Sequence, residues 1–136
     1  MRVGVQLWLQ KFNMALNKPT KHTLFRNTRF ALNGLIEVTI NERSFRLQLV
    51  LFAIASIVAW SLPVSYTYHA VLFGILFLPV MAEIINSAIE RTVDLVTFEH
   101  HELAKRAKDA GSALVFVSLF ATGVIWALTL YSAFCL

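Results

Sequence analysis

Three apolar runs limit what this chain can fold into. Residues 47–62, written LQLVLFAIASIVAWSL, are sixteen consecutive positions without a charge, and residues 113–136 form another uncharged run. A third runs from 68 to 90 and stays apolar until carboxylates enter near its end. A helix crossing a bilayer core needs ~20 mostly apolar residues, because lipid offers the backbone no hydrogen-bond partner and the helix satisfies its own. The first run is a little short, which flanking residues make up. With 57% hydrophobic and 15% charged residues, against ~25% charged in ordinary soluble domains, the chain reads as an all-α, three-span membrane protein.

Between the first two spans, Pro63 to His69 supplies a turn, with Trp60, Tyr66 and Tyr68 placed as an aromatic belt at the membrane interface. Pro79 stands one turn before Glu83, where it removes a backbone hydrogen bond and invites a kink. Upstream, Phe25, Leu32, Leu35, Ile36 and Thr39 recur at helical spacing against Arg26, Arg29, Asn33 and Glu37, which predicts an amphipathic helix over 24–41. It suits the interface beside anionic head groups, or packing on the protein. Residues 1–23 contain the Asn17-Lys18-Pro19-Thr20 breaker and read as a peripheral extension, without the pattern of a cleaved signal peptide. The expected organisation is thus an extension at 1–23, an interfacial helix at 24–45 and a membrane domain at 46–136. Its spans lie near 47–62, 68–90 and 113–135, with a connection at 91–112.

Residues 1–46 hold eight Lys or Arg and residues 91–109 hold four, while 47–90 and 110–136 hold none. Basic residues mark the cytoplasmic side, so the N-terminus and the 91–112 connection are expected inside, and the 63–69 turn and C-terminus outside. The net charge of +4 is then a topology signal. No basic patch interleaves with aromatics, and no nucleic acid partner is expected. Cys135 is the sole cysteine, so no internal disulfide is possible, and it is expected as a small buried hydrophobe.

The chemistry concentrates in residues 83–112, EIINSAIERTVDLVTFEHHELAKRAKDAGS, whose first twenty positions hold five of the chain's eight acids. Glu83, Asn86, Ser87, Glu90 and Asp94 fall within roughly a 100° arc of one helix, and Ile84, Ile85, Ala88, Ile89 and Val93 cover the rest. A charge at the centre of a membrane helix costs at least ~2.5–3.5 kcal/mol, so such residues face a partner, a metal or water. Glu90 and the juxtamembrane Glu42 sit at similar depths, and two hard carboxylates there would suit Mg²⁺ carrying substrate phosphates. Glu83, about two turns deeper, can be read as a general base for a lipid hydroxyl or as a hydrogen-bonded helix contact. Glu99, His100, His101 and Glu102 read better as a solvated connection than as a metal cluster, since adjacent helical histidines diverge by ~100°. Lys108, Asp109 and a flexible Gly111 stand at the mouth of the acidic stripe. With no P-loop or Rossmann glycine pattern, any nucleotide would be held by metal and lysine.

The run Glu83-Ile84-Ile85-Asn86-Ser87-Ala88-Ile89-Glu90, then Val93-Asp94, His101-Glu102-Leu103 and Ala107-Lys108-Asp109-Ala110-Gly111-Ser112-Ala113, resembles the signature of the bacterial integral-membrane diacylglycerol kinases. Asn41-Glu42 with Phe45-Arg46 is similar to that family's upstream element. The resemblance covers about residues 24–136. It implies a homotrimer of three-span subunits with an amphipathic surface helix in the bacterial inner membrane. Sites shared between neighbouring subunits would transfer the γ-phosphate of ATP, with Mg²⁺, to diacylglycerol. By the same resemblance, Glu83 would be the catalytic base, and Glu42 and Glu90 the metal ligands on the ATP phosphates. Lys108 and Asp109 would contact nucleotide, with Glu99 and His101 near its outer portion. Ser112 would join Glu83 on the substrate side, and Asn86 and Asp94 would support the site. Three departures stand out: Ala31 in the surface helix where some members carry a hydroxyl, Lys105 where some have glycine, and Leu47 where some have a polar residue.

Undecaprenol kinase activity is the alternative of the same type, differing in the lipid alcohol. A different class, an ion or proton pathway through Glu83, Glu90 and Asp94, would need polar groups continuing to the far leaflet. Between His69 and Glu83 there are none.

Overall fold

The computed structural model describes residues 24–97, 99 and 101–135. The extension at 1–23 and His100 lie outside the described residues. Five helices account for nearly all of them: α1 (Leu24–Asn41), α2 (Arg43–Ser61), α3 (Tyr66–Gly74), α4 (Phe77–Val96) and α5 (Glu102–Cys135). Residues 35–136 form one compact unit, and the packing described below is within it.

A single residue separates α1 from α2. Glu42 is extended (φ −104°, ψ 117°), and its N–H still closes on the Val38 carbonyl at 2.9 Å. Arg46, from the first turn of α2, donates to the carbonyls of Thr39 (3.2 Å) and Ile40 (2.6 Å), two of the acceptors a helix end leaves open. Helix α2 stops at Leu62, held extended by the following Pro63. The turn to α3 is closed by a hydrogen bond between the His69 ring and the Leu62 carbonyl (3.1 Å), with Trp60 stacked on that ring at 5.0 Å.

The expected second span is present as 31 residues, Tyr66–Val96, in two helical pieces. The kink falls at Ile75–Leu76 because Pro79 has no N–H for the Ile75 carbonyl, which instead accepts from Leu78 at 3.1 Å. Leu76 likewise bonds back to Phe73 (3.2 Å) rather than to Leu72. The Leu72 carbonyl then takes the indole N–H of Trp126 on α5 at 3.1 Å, so the break leaves that group satisfied. Phe52, Phe73 and Phe77 brace the bend edge to face, with ring centroids 5.0–5.8 Å apart.

Helical order runs past the apolar stretches. Residues 97–101 alone separate α4 from α5, where a connection over 91–112 was expected. Thr97 and His101 hold this short link: the Thr97 hydroxyl accepts from the Glu99 N–H (3.1 Å), and His101 Nδ1 accepts from the Leu103 N–H (3.2 Å) as a cap on α5. At 34 residues, α5 is about 50 Å long, enough to cross the apolar core and carry its charged first turns beyond it.

The pair α4–α5 makes the most extensive helix contact. Small residues line the covered face of α5, among them Gly111, Ser118, Thr122 and Thr129. Ser118 and Thr122 satisfy their hydroxyls on carbonyls of their own helix (2.7 and 2.8 Å). Much of the apolar part of α5 is uncovered, with Phe116, Phe120 and Leu128 each more than 60% exposed. Cys135 is exposed as well, against expectation, because α3 and α4 cover only one stripe of that helix. Among the described residues, three helical segments are long and apolar enough to cross a membrane, as expected.

Candidate functional site

Helix α4 carries the site. Glu83, Asn86, Ser87 and Glu90 recur at three- and four-residue spacing, which puts them on one face. That face is covered: Glu83 is 5% exposed, Asn86 8% and Ser87 3%, while Glu90, one turn further, is partly exposed. Asn86 Nδ2 donates to Glu90 Oε1 at 3.0 Å. Among the described residues, none donates a hydrogen bond to Glu83. Glu83 and Glu90, two of the three acids expected to do the chemistry, share one face of α4.

Glu42 reaches α4 because of the corner between α1 and α2. As the residue before α2 it makes no side-chain cap, and its Oε1 accepts from Arg91 Nη2 (3.0 Å) and Nε (3.3 Å). Arg91 Nη1 also donates to Glu37 Oε2. Arg91 escaped the sequence reading because its partners lie 49 and 54 residues away. One cation set immediately after Glu90 was the only local signal.

A second group gathers where α4 meets the start of α5. Lys108 Nζ bonds Asp94 Oδ1 at 2.6 Å. Around them lies a cavity of about 260 Å³ whose polar lining includes Asp94, Glu99, His101, Lys105, Lys108 and Asp109. Every residue expected on the nucleotide's outer side therefore borders one cavity. Ser112 borders none of it and is exposed on α5.

Gly111 is no flexible hinge. It lies inside α5, and no described glycine has a positive φ. A Cβ at this position would stand 2.4 Å from Asn86 Oδ1. The missing side chain lets α5 press against Asn86, which orients Glu90 and whose buried Oδ1 has no partner among the described residues.

Divalent metal fits this arrangement in a limited way. Among the described residues no three His, Cys, Asp or Glu converge. Glu42 and Glu90 supply hard oxygens, and in each Oε1 already accepts a hydrogen bond while no described donor takes Oε2. Mg²⁺ usually takes one or two carboxylates and completes its shell with phosphate oxygens and water.

The model of the prokaryotic diacylglycerol kinase family matches residues 29–130. The diacylglycerol kinase of Escherichia coli (strain K12) is 35% identical over 121 residues, covering 89% of this chain and 99% of that protein. The diacylglycerol kinase of Pseudomonas aeruginosa is 44% identical over 101 residues, covering 74% and 81%. That of Helicobacter pylori (strain 26695) is 38% identical over 104 residues, covering 76% and 80%.

Proposed function

The chain belongs to the prokaryotic diacylglycerol kinase family, and from that premise we propose how its residues divide the work of an ATP-dependent lipid kinase. The reaction moves the γ-phosphoryl group of ATP to the hydroxyl of diacylglycerol, giving phosphatidic acid and ADP. Glu83 accepts the hydroxyl proton as the new P–O bond forms and the bond to ADP breaks. The observation that carries this role is a buried carboxylate on the α4 face that receives no hydrogen bond from a described residue. Acidic and deep on an apolar helix, Glu83 sits where a lipid alcohol can arrive from the bilayer.

Glu90, oriented by Asn86, and Glu42 would hold Mg²⁺ on the phosphates, where the ion neutralises charge developing on the transferred group. Lys108 provides the cation at the mouth of the cavity and is held by Asp94 until phosphate arrives. Asp109, Glu99 and His101, which border the same cavity, face the outer part of the nucleotide. We place this face at the inner leaflet, where cytosolic ATP and a membrane lipid meet, because the chain's basic residues cluster there. The uncovered apolar faces of α2 and α5 suit lipid and the neighbouring subunits of a homotrimer.

The test uses purified protein in mixed micelles with MgATP, offered diacylglycerol and undecaprenol in parallel. Labelled phosphatidic acid from diacylglycerol, abolished by Glu83→Gln, is the expected result. Product from undecaprenol alone would reassign the acceptor, and undiminished turnover in the variant would remove Glu83 as base.

A further inference from the structure

Arg91 has no part in the scheme above, yet it touches the site directly. Its guanidinium is forked: Nε and Nη2 bond Glu42 Oε1, and Nη1 bonds Glu37. Glu37 is itself oriented, since Asn41 Nδ2 donates to its Oε1 at 2.8 Å and to its backbone carbonyl at 3.0 Å. Both carboxylates lie at the corner of α1 and α2, so one cation from α4 is divided between two acids. The three side chains are 39%, 28% and 47% exposed, wet enough to exchange partners without stranding a buried charge.

Resting on the assignment of Glu42 as a metal ligand, we propose that Arg91 is a displaceable occupant of Glu42 and that Glu37 is the site to which it withdraws when a divalent ion binds. A divalent cation on Oε2 and a guanidinium on Oε1 of one carboxylate repel each other at close range, so each weakens the other's hold. With Glu37 beside it, Arg91 can give up Glu42 and keep a full counter-charge. The device keeps Glu42 oriented toward α4 while the metal is absent, and it limits how tightly a bare ion is held before nucleotide arrives. Arg91 and Glu37 are thus positioning residues, and neither needs to touch substrate.

The two substitutions are expected to act in opposite directions, which a purely structural tie would not produce. Mn²⁺ binding to the purified, nucleotide-free protein in micelles is read by electron paramagnetic resonance. Removing the competing cation in Arg91→Gln should tighten Mn²⁺ by at least about threefold, whereas Glu37→Gln, which leaves Arg91 only Glu42 to pair with, should weaken it by a similar factor. In the Arg91→Gln background Glu37→Gln should have little further effect, because Glu37 acts through Arg91. Arg91→Lys, which keeps the charge, should stay near the parent. Glu42→Gln is the control: if it leaves Mn²⁺ affinity unchanged, Glu42 is not a ligand and the underlying assignment fails too. If Glu42→Gln weakens Mn²⁺ while Arg91→Gln also weakens it or changes nothing, the assignment survives and the displacement is overturned. No detectable Mn²⁺ in parent and Arg91→Gln alike also overturns it.

Discussion

Glu83→Gln keeps the side chain's shape but cannot take a proton, so it separates base from binding residue. General-base catalysis contributes ~10²–10⁴-fold, and the variant should lose at least ~10² in kcat while its affinity for MgATP, read by equilibrium binding, stays close to the parent's. Collapse of nucleotide affinity with a surviving rate at saturation would make Glu83 a binding residue. Glu42→Gln and Glu90→Gln should instead lose activity that added Mg²⁺ partly restores, since the lost charge weakens ion affinity. A rate that stays low however much Mg²⁺ is added would argue against metal ligation. Arg91 gives this group a pH signature. Its hydrogen bond holds the Glu37 carboxyl below the usual carboxylate range. The tie is therefore complete above that range and is lost only as pH falls through the lowered value. A carbon-13 titration of the Glu37 carboxyl reads this directly, and Arg91→Gln should return it to the ordinary range. The carboxylates of α4 were legible in the sequence because one helical period relates them. The Arg91 fork was not, because only the corner at Glu42 brings α1 to α4.

Packing of α4 against α5 decides whether Asn86 can hold Glu90. Gly111→Ala would bring a methyl carbon to within 2.4 Å of Asn86 Oδ1, and Asn86 cannot retreat without dropping its bond to Glu90. Overpacking of this kind costs typically ~1–3 kcal/mol. The variant should show a lower unfolding midpoint in micelles together with a raised Mg²⁺ requirement, and an unchanged value of both would mean that the two helices can part there freely. The break at Ile75–Leu76 was foreseeable from Pro79, whereas the rescue of the Leu72 carbonyl by Trp126 was not, since 54 residues separate the two. The helices outrun the apolar runs for a related reason. Apolar runs report where lipid lies, but α4 and α5 continue helically into charged turns that local capping by Thr97 and His101 terminates.

At the scale of the molecule, few apolar side chains among the described residues are buried, Phe45 and Leu72 among them at 1% or less, and many large ones are exposed. A bilayer tolerates that exterior, and the proposed trimer would cover part of it. The family resemblance implied sites divided between neighbouring subunits. Yet within one chain Asn86 ties Glu90 and Arg91 ties Glu42 to α4, and Lys108 meets Asp94 there too. If the carboxylates of a site all come from one subunit, its neighbours cannot repair it. Oligomers assembled from Glu42→Gln and Glu83→Gln subunits should accordingly be as inactive as either parent, because every carboxylate set in the mixture lacks one member. The measurement is lipid phosphorylation by mixed oligomers whose composition has been verified, compared with unmixed controls. Activity well above both controls would mean that Glu42 serves the Glu83 of an adjacent subunit, and the corner between α1 and α2 would then have to reach across the subunit interface rather than back to its own α4.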